Sequence, residues 1–290
     1  MGDCDKSKSN TPKRHHYVPK MLLKRFVDDD GWLHFFDKTS PELGVRPCKP
    51  ASAFYEKHLN SLIGRNGEKN VSLEHTFNRL ETAADGAVER VVQAARRQCA
   101  LDLSETDCEV LYRFIHAQWK RVPDLHRAFL TDDEVSLQLD VALSEAVRKF
   151  PHQQCEAEAL REPKERKRFI HNLRVEVRGK VGETVLNVMR GRGLAVLHIG
   201  IPNKMFVISS HPVVKLTVNG KTNLADPECE MWLPVAHDVA IGLGAARNQT
   251  SLHQLCSAEA VRRLNLACIS QSRAFAGASA SLVRSLAAPR

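Results

Sequence analysis

No stretch of this chain approaches the roughly 20 uncharged apolar residues that a membrane-crossing helix requires, and its eight cysteines include no Cys-x-x-Cys pair. Cys4, Cys48, Cys99, Cys108, Cys155, Cys229, Cys256 and Cys268 are widely scattered. That spacing argues against a disulfide framework or a zinc site and for reduced, mostly buried thiols. A Walker A loop, G-x-G-x-x-G, G-x-S-x-G and H-E-x-x-H are all missing. Nucleotide-cofactor folds, serine hydrolases and zinc proteases of those types lose their warrant. The first residues are polar, and Lys6 stands where an N-myristoylation signal requires Ser or Thr. These absences predict a cytoplasmic protein without membrane contact.

What is present predicts a packed core. The 290 residues are 43% hydrophobic and 26% charged, far from the composition of a disordered chain. Positive charge lies at the two ends: residues 1–26 hold seven Lys or Arg against two acids and residues 241–290 hold six against one, within an overall +8. Such ends favour nucleic acid or another phosphate-bearing ligand. Solvated basic tails are the competing account.

The order of patterns predicts an α+β fold, with a helical middle and short, mainly antiparallel strands near the N-terminus and in the C-terminal third. Residues 1–12 read as a mobile polar tail, 13–278 as a single domain and 279–290 as a C-terminal tail. A turn at Asp28-Asp29-Asp30-Gly31 precedes an aromatic strand over 32–37, and the proline-rich 41–50 reads as a loop. From Ser72 as cap, Leu73, Phe77, Leu80, Ala84, Val88, Val91 and Ala95 form a helical apolar stripe. Ser104 with Asp107 predicts a capping box opening a second helix, and Thr131 caps a third that Pro151 ends. Charge dominates 156–168, and a fourth helix is expected over 169–189. Strands follow at 194–201, 205–209, 213–218 and 239–243, with a hairpin turn at Asn219-Gly220 and a last helix capped by Ser257.

Chemistry concentrates around His15-His16-Tyr17-Val18-Pro19. Neighbours on an extended strand face opposite ways, so one imidazole can face a site while the other packs, with Tyr17 orienting either ring. On the Ser72 helix, Glu74, Asn78, Glu81 and Asp85 form a polar line whose carboxylates, with His16, suit Mg²⁺ or Mn²⁺. A solvated helix face is the plainer account of the same line. Gln118 and Arg121 continue the apolar face of Leu111 and Phe114, so both require buried partners. For Arg121 that partner is a carboxylate such as Glu81 or a substrate phosphate.

These blocks together resemble a mainly bacterial family known as domain of unknown function 4238. The resemblance rests on His15-His16-Tyr17-Val18-Pro19 with Leu23 and Phe26, Phe54-Tyr55, Glu74, Glu81, and Gln118 with Arg121-Val122-Pro123. Phe206-Val207-Ile208-Ser209-Ser210-His211-Pro212-Val213 is similar to the family's Phe-x-Thr-Ser-Asp-x-Pro-Val segment, and Leu233-Pro234-Val235 to a later block. Ser210 replaces the family's Asp, which implies an inactive member if that Asp is essential.

Two functional expectations follow. One is a metal-dependent phosphodiesterase or nuclease, with His15, His16, Tyr17, Gln118 and Arg121 at the reaction, Glu74, Glu81 and His16 on the metal, and Ser209, Ser210 and His211 nearby. The other is a non-catalytic module binding nucleic acid or protein, in which the same residues form a buried polar network.

Overall fold

The computed structural model describes residues 12–288 apart from 130, 218–219 and 248. The tail expected over 1–12 therefore lies almost wholly outside the described residues, as does Asn219 of the expected hairpin turn. Along the chain, β1 (Arg14–His16), α1 (Lys20–Leu23), β2 (Leu33–Asp37), β3 (Arg46–Cys48), β4 (Tyr55–Lys57), β5 (Leu62–Ile63) and β6 (Lys69–Asn70) come first. The helical middle comprises α2 (Ser72–Arg97), α3 (Glu105–Lys120), α4 (Pro123–Phe129), α5 (Asp132–Lys149), α6 (Gln154–Arg161), α7 (Pro163–Gly179) and α8 (Glu183–Arg192). Then follow β7 (Leu194–Ile199), β8 (Ile208–Ser209), β9 (Val214–Thr217), β10 (Cys229–Pro234), β11 (Val239–Leu243), β12 (Thr250–Leu255), α9 (Ala258–Ser270), β13 (Ala274–Gly277) and α10 (Ala280–Ala287). The fold is α+β.

Where one domain was expected, the chain forms two compact units. The first takes residues up to 15, 56–76 and 126–179, and the second takes 16–55, 77–125 and 180 onward. Most boundaries fall inside elements, as between His15 and His16 of β1 and between Thr76 and Phe77 of α2, while the one after Gly179 falls at the end of α7. No composition shift marks such boundaries, so linear reading misses them.

The second unit holds two sheets. One has the order β12-β7-β11-β10-β9, antiparallel except that edge strand β12 runs parallel to β7 from Thr250↔Leu194 to Leu255↔Ile199. The other is antiparallel, in the order β3-β2-β13-β8. Against the larger sheet pack Ala84, Val88, Val91 and Ala95 of α2, Leu111, Phe114 and Ile115 of α3, and Leu186 and Met189 of α8, all buried. Of the expected stripe of α2, Phe77, Ala84, Val88, Val91 and Ala95 are buried, while Leu73 and Leu80 are half-buried. Ser72 lies inside the first turn rather than capping it, and its N–H donates to Asn70 Oδ1.

Local chemistry explains several ends. Ser104 and Asp107 form the reciprocal capping box, Thr131 caps α5 and Ser257 caps α9. Gly193 ends α8 at φ 72°, ψ −174°, a conformation open essentially to glycine alone. The expected helix over 169–189 is instead α7 followed by α8, and much of the charged 156–168 segment is helical in α6 and α7. The expected 41–50 loop contributes β3. The expected C-terminal tail contains α10, with Ser279 as its cap.

The first unit has a smaller core, in which Leu139 and Leu143 of α5 meet Ala157 of α6, flanked by Phe169 of α7. The β5–β6 hairpin is bound to α7 through both amide atoms of Asn172: Oδ1 accepts from Ile63 N–H at 2.8 Å and Nδ2 donates to Ile63 O at 2.9 Å.

Candidate functional site

The motif histidines belong to different units and have different environments. In the first unit His15 is fully buried, and its Nδ1 accepts the Asn60 N–H at 3.0 Å while Nε2 stands 3.0 Å from Pro12 O. An Nδ1 that accepts from an amide leaves the proton on Nε2 for the Pro12 carbonyl. Glu74 Oε2 approaches the same Nδ1 at 3.5 Å. Glu74 is itself buried and accepts from Asn60 Nδ2 at 2.8 Å. Asn60 thus holds both His15 and Glu74 in place.

In the second unit, Arg121 lies at the end of α3 with 1% exposure. Its Nη1 donates to Glu81 at 2.5 Å, its Nη2 donates to the carbonyl of His16, and its guanidinium sits 4.6 Å from the Phe77 ring centroid. Phe77 and Glu81 are i and i+4 on α2, so one helix face supplies both the stacking surface and the counter-charge. Arg121 therefore grips the backbone of the motif. Tyr17 is buried edge-on against Phe54, and its N–H donates to Phe54 O at 3.0 Å.

His16 places its ring 5.6 Å from that of Tyr55. Burial, then the charges of Lys20 and Arg121, push its pKa down to about 4. At neutral pH it is therefore an uncharged imidazole, with one ring nitrogen protonated and the other carrying a lone pair. Its Nε2 is buried without a hydrogen-bond partner among the described residues, as are both amide atoms of the buried Gln118.

Ser210 has a clear structural task. Its Oγ accepts the N–H groups of Arg273 at 3.1 Å and Ala274 at 3.3 Å, fixing the entry to β13, while its own N–H donates to Ala274 O at 2.8 Å. Ser209 Oγ donates to His211 O at 2.7 Å. Burial lowers the His211 pKa, and its Nδ1 is buried without a partner among the described residues.

The expected metal ligands fit a cation poorly. Glu74 is engaged by Asn60 in the first unit and Glu81 by Arg121 in the second. Among the described residues no group of three or more His, Cys, Asp or Glu converges in a way that holds a metal ion.

Sequence reading missed Asn60 and Arg192. Buried Arg192 donates from Nε to Gly244 O at 2.9 Å and from Nη1 to Leu224 O and Asp226 O at 3.1 Å, tying strand ends together. Only long-range contacts identify either residue. No curated protein and no solved structure gives a significant match. The model of one family, described as Protein of unknown function (DUF4238), matches residues 14–279, nearly the whole chain, and the chain belongs to that family.

Proposed function

We propose that the protein is a non-catalytic module that binds phosphate-bearing polyanions, nucleic acid foremost, and that its motif residues hold the fold. The observation that carries this reading is the state of Arg121: it is buried and neutralised by Glu81, and both its terminal nitrogens are engaged, Nη1 by Glu81 and Nη2 by the His16 carbonyl, leaving only Nε without a partner among the described residues. The +8 charge supports a polyanionic partner.

The orphaned His16 Nε2 and Gln118 amide favour a second reading, a phosphodiesterase with His16 as proton acceptor. An anisotropy titration against single-stranded and double-stranded DNA and RNA, run beside a cleavage assay supplemented with Mg²⁺ or Mn²⁺, separates the two. Salt-sensitive binding without cleavage is expected. Cleavage abolished by His16→Gln with unchanged Tm would establish the hydrolase instead.

A further inference from the structure

The first unit contains a cavity of about 660 Å³ between the β5–β6 turn and α7. Five of its lining residues are Lys or Arg, namely Arg65, Lys164, Lys167, Arg168 and Arg174, against two acids, Asp132 and Glu165. The acids are already used: Asp132 pairs with Arg174 at 2.7 Å and Glu165 with Arg168. The positive charge of Arg65, Lys164 and Lys167 is therefore uncompensated by the cavity's own carboxylates. Arg168 also keeps a buried Nε without an acceptor among the described residues. The rest of the lining combines the apolar Ile63 and Ile170 with the polar Asn66 and His171.

The site is built rather than incidental. Asn172 clamps Ile63 through both amide atoms, and His171 Nε2 meets Ser61 O at 2.8 Å, so consecutive side chains of α7 fasten the hairpin that forms one wall. The turn that carries Arg65 closes with the Gly67 N–H donating to Gly64 O at 3.0 Å, and Gly67 has φ 78°.

We infer that this cavity binds an organic phosphate monoester of nucleotide size, its phosphoryl group on Arg65, Lys164 and Lys167 and its carbon skeleton against Ile63 and Ile170. Cavities of several hundred Å³ with apolar walls and a few convergent polar groups are the usual form of small-molecule sites. Several uncompensated cations match a dianionic phosphoryl group better than a carboxylate, which one cation neutralises. The phosphate belongs to a free mononucleotide or to the 5′ end of a nucleic-acid strand. This inference rests on the polyanion-binding reading above and places its phosphate site.

The test uses the full chain and three probes: a mononucleotide, a 5′-phosphorylated decanucleotide and its 5′-hydroxyl counterpart. One variant combines Arg65→Gln, Lys164→Gln and Lys167→Gln. A charge-matched control combines Arg97→Gln, Lys149→Gln and Arg161→Gln, exposed positions outside the cavity. The cavity variant is expected to lose about tenfold or more in affinity for phosphate-bearing probes, and the control about twofold or less. Wild type preferring the 5′-phosphorylated strand over the 5′-hydroxyl one identifies a strand end, and equal capture of the mononucleotide identifies the free nucleotide. Equal losses in both variants overturn the cavity while leaving polyanion binding intact. Absence of wild-type binding to every probe overturns both.

Discussion

His16 and His116 each carry a pKa pushed down to about 4, first by burial and then by Lys20 and Lys120 respectively. Because both sit below the ordinary 6.5, the unfolded chain binds more protons between those values. Their contribution to stability is complete above 6.5 and is lost as pH falls toward 4. Denaturation midpoints are expected to drop through that window, ahead of most carboxylate protonation. His116→Gln should flatten the drop, and an unchanged profile would show that the ring takes its proton without cost. Arg121 makes the second residue-scale case. Arg121→Ala strands the Glu81 carboxylate and the His16 carbonyl and is expected to cost about 3–5 kcal/mol. If Arg121→Met combined with Glu81→Gln recovers Tm, the pair is a fold device; if Tm returns and ligand affinity does not, Arg121 has a binding role.

At the scale of elements, α2 was legible because its apolar residues repeat every three to four positions, and Phe77 is buried as that stripe requires. Phe77→Ala is expected to cost about 3–5 kcal/mol, read as a shift in denaturation midpoint. β10 was illegible for the opposite reason. Cys229-Glu230-Met231-Trp232-Leu233-Pro234 is buried at all positions but one, so no alternation betrays it. β12 was missed because Thr-Ser-Leu-His-Gln-Leu reads as polar loop, and only its parallel pairing with β7 makes it a strand. The Gly191-Arg192-Gly193 stretch separates the expected helix from the strand at 194, but nothing in the sequence shows that position 193 requires glycine. A Cβ there would lie 2.3 Å from Ala246 O and 2.5 Å from Gln249 O. Gly193→Ala is accordingly expected to cost at least about 2 kcal/mol, and a silent substitution would show that this corner relaxes. At the candidate site the motif residues could be named from sequence. Glu81 could be named as well, because Arg121 on an apolar helix face requires a carboxylate and Glu81 pairs with it as expected. Asn60 could not, since it lies 45 positions from His15 and no motif marks it.

For the whole molecule, the contrast between the units has a measurable form. The small cluster around Leu139, Leu143 and Ala157 protects less backbone than the continuous core against the five-stranded sheet. Native-state hydrogen exchange is expected to be faster for α5 and α6 than for β7, β10 and β11. Equal protection would mean that the two units open together. Binding of the cavity ligand should slow exchange in α7 and leave β7 unchanged.

The position of β13 has a consequence for how the chain acquires its structure. β13 lies between β2 and β8, with Phe275 opposite both Phe36 and Ser209. During synthesis, β2 therefore has β3 on one side and an unsatisfied row of amides on the other until the strand holding Phe275 emerges. Such distant pairing is slow to close and leaves an adhesive edge exposed in the interim. A nascent chain halted after β12 would present the ladder of Leu33–Asp37 to its neighbours, so premature stops late in the message should yield aggregates rather than soluble fragments.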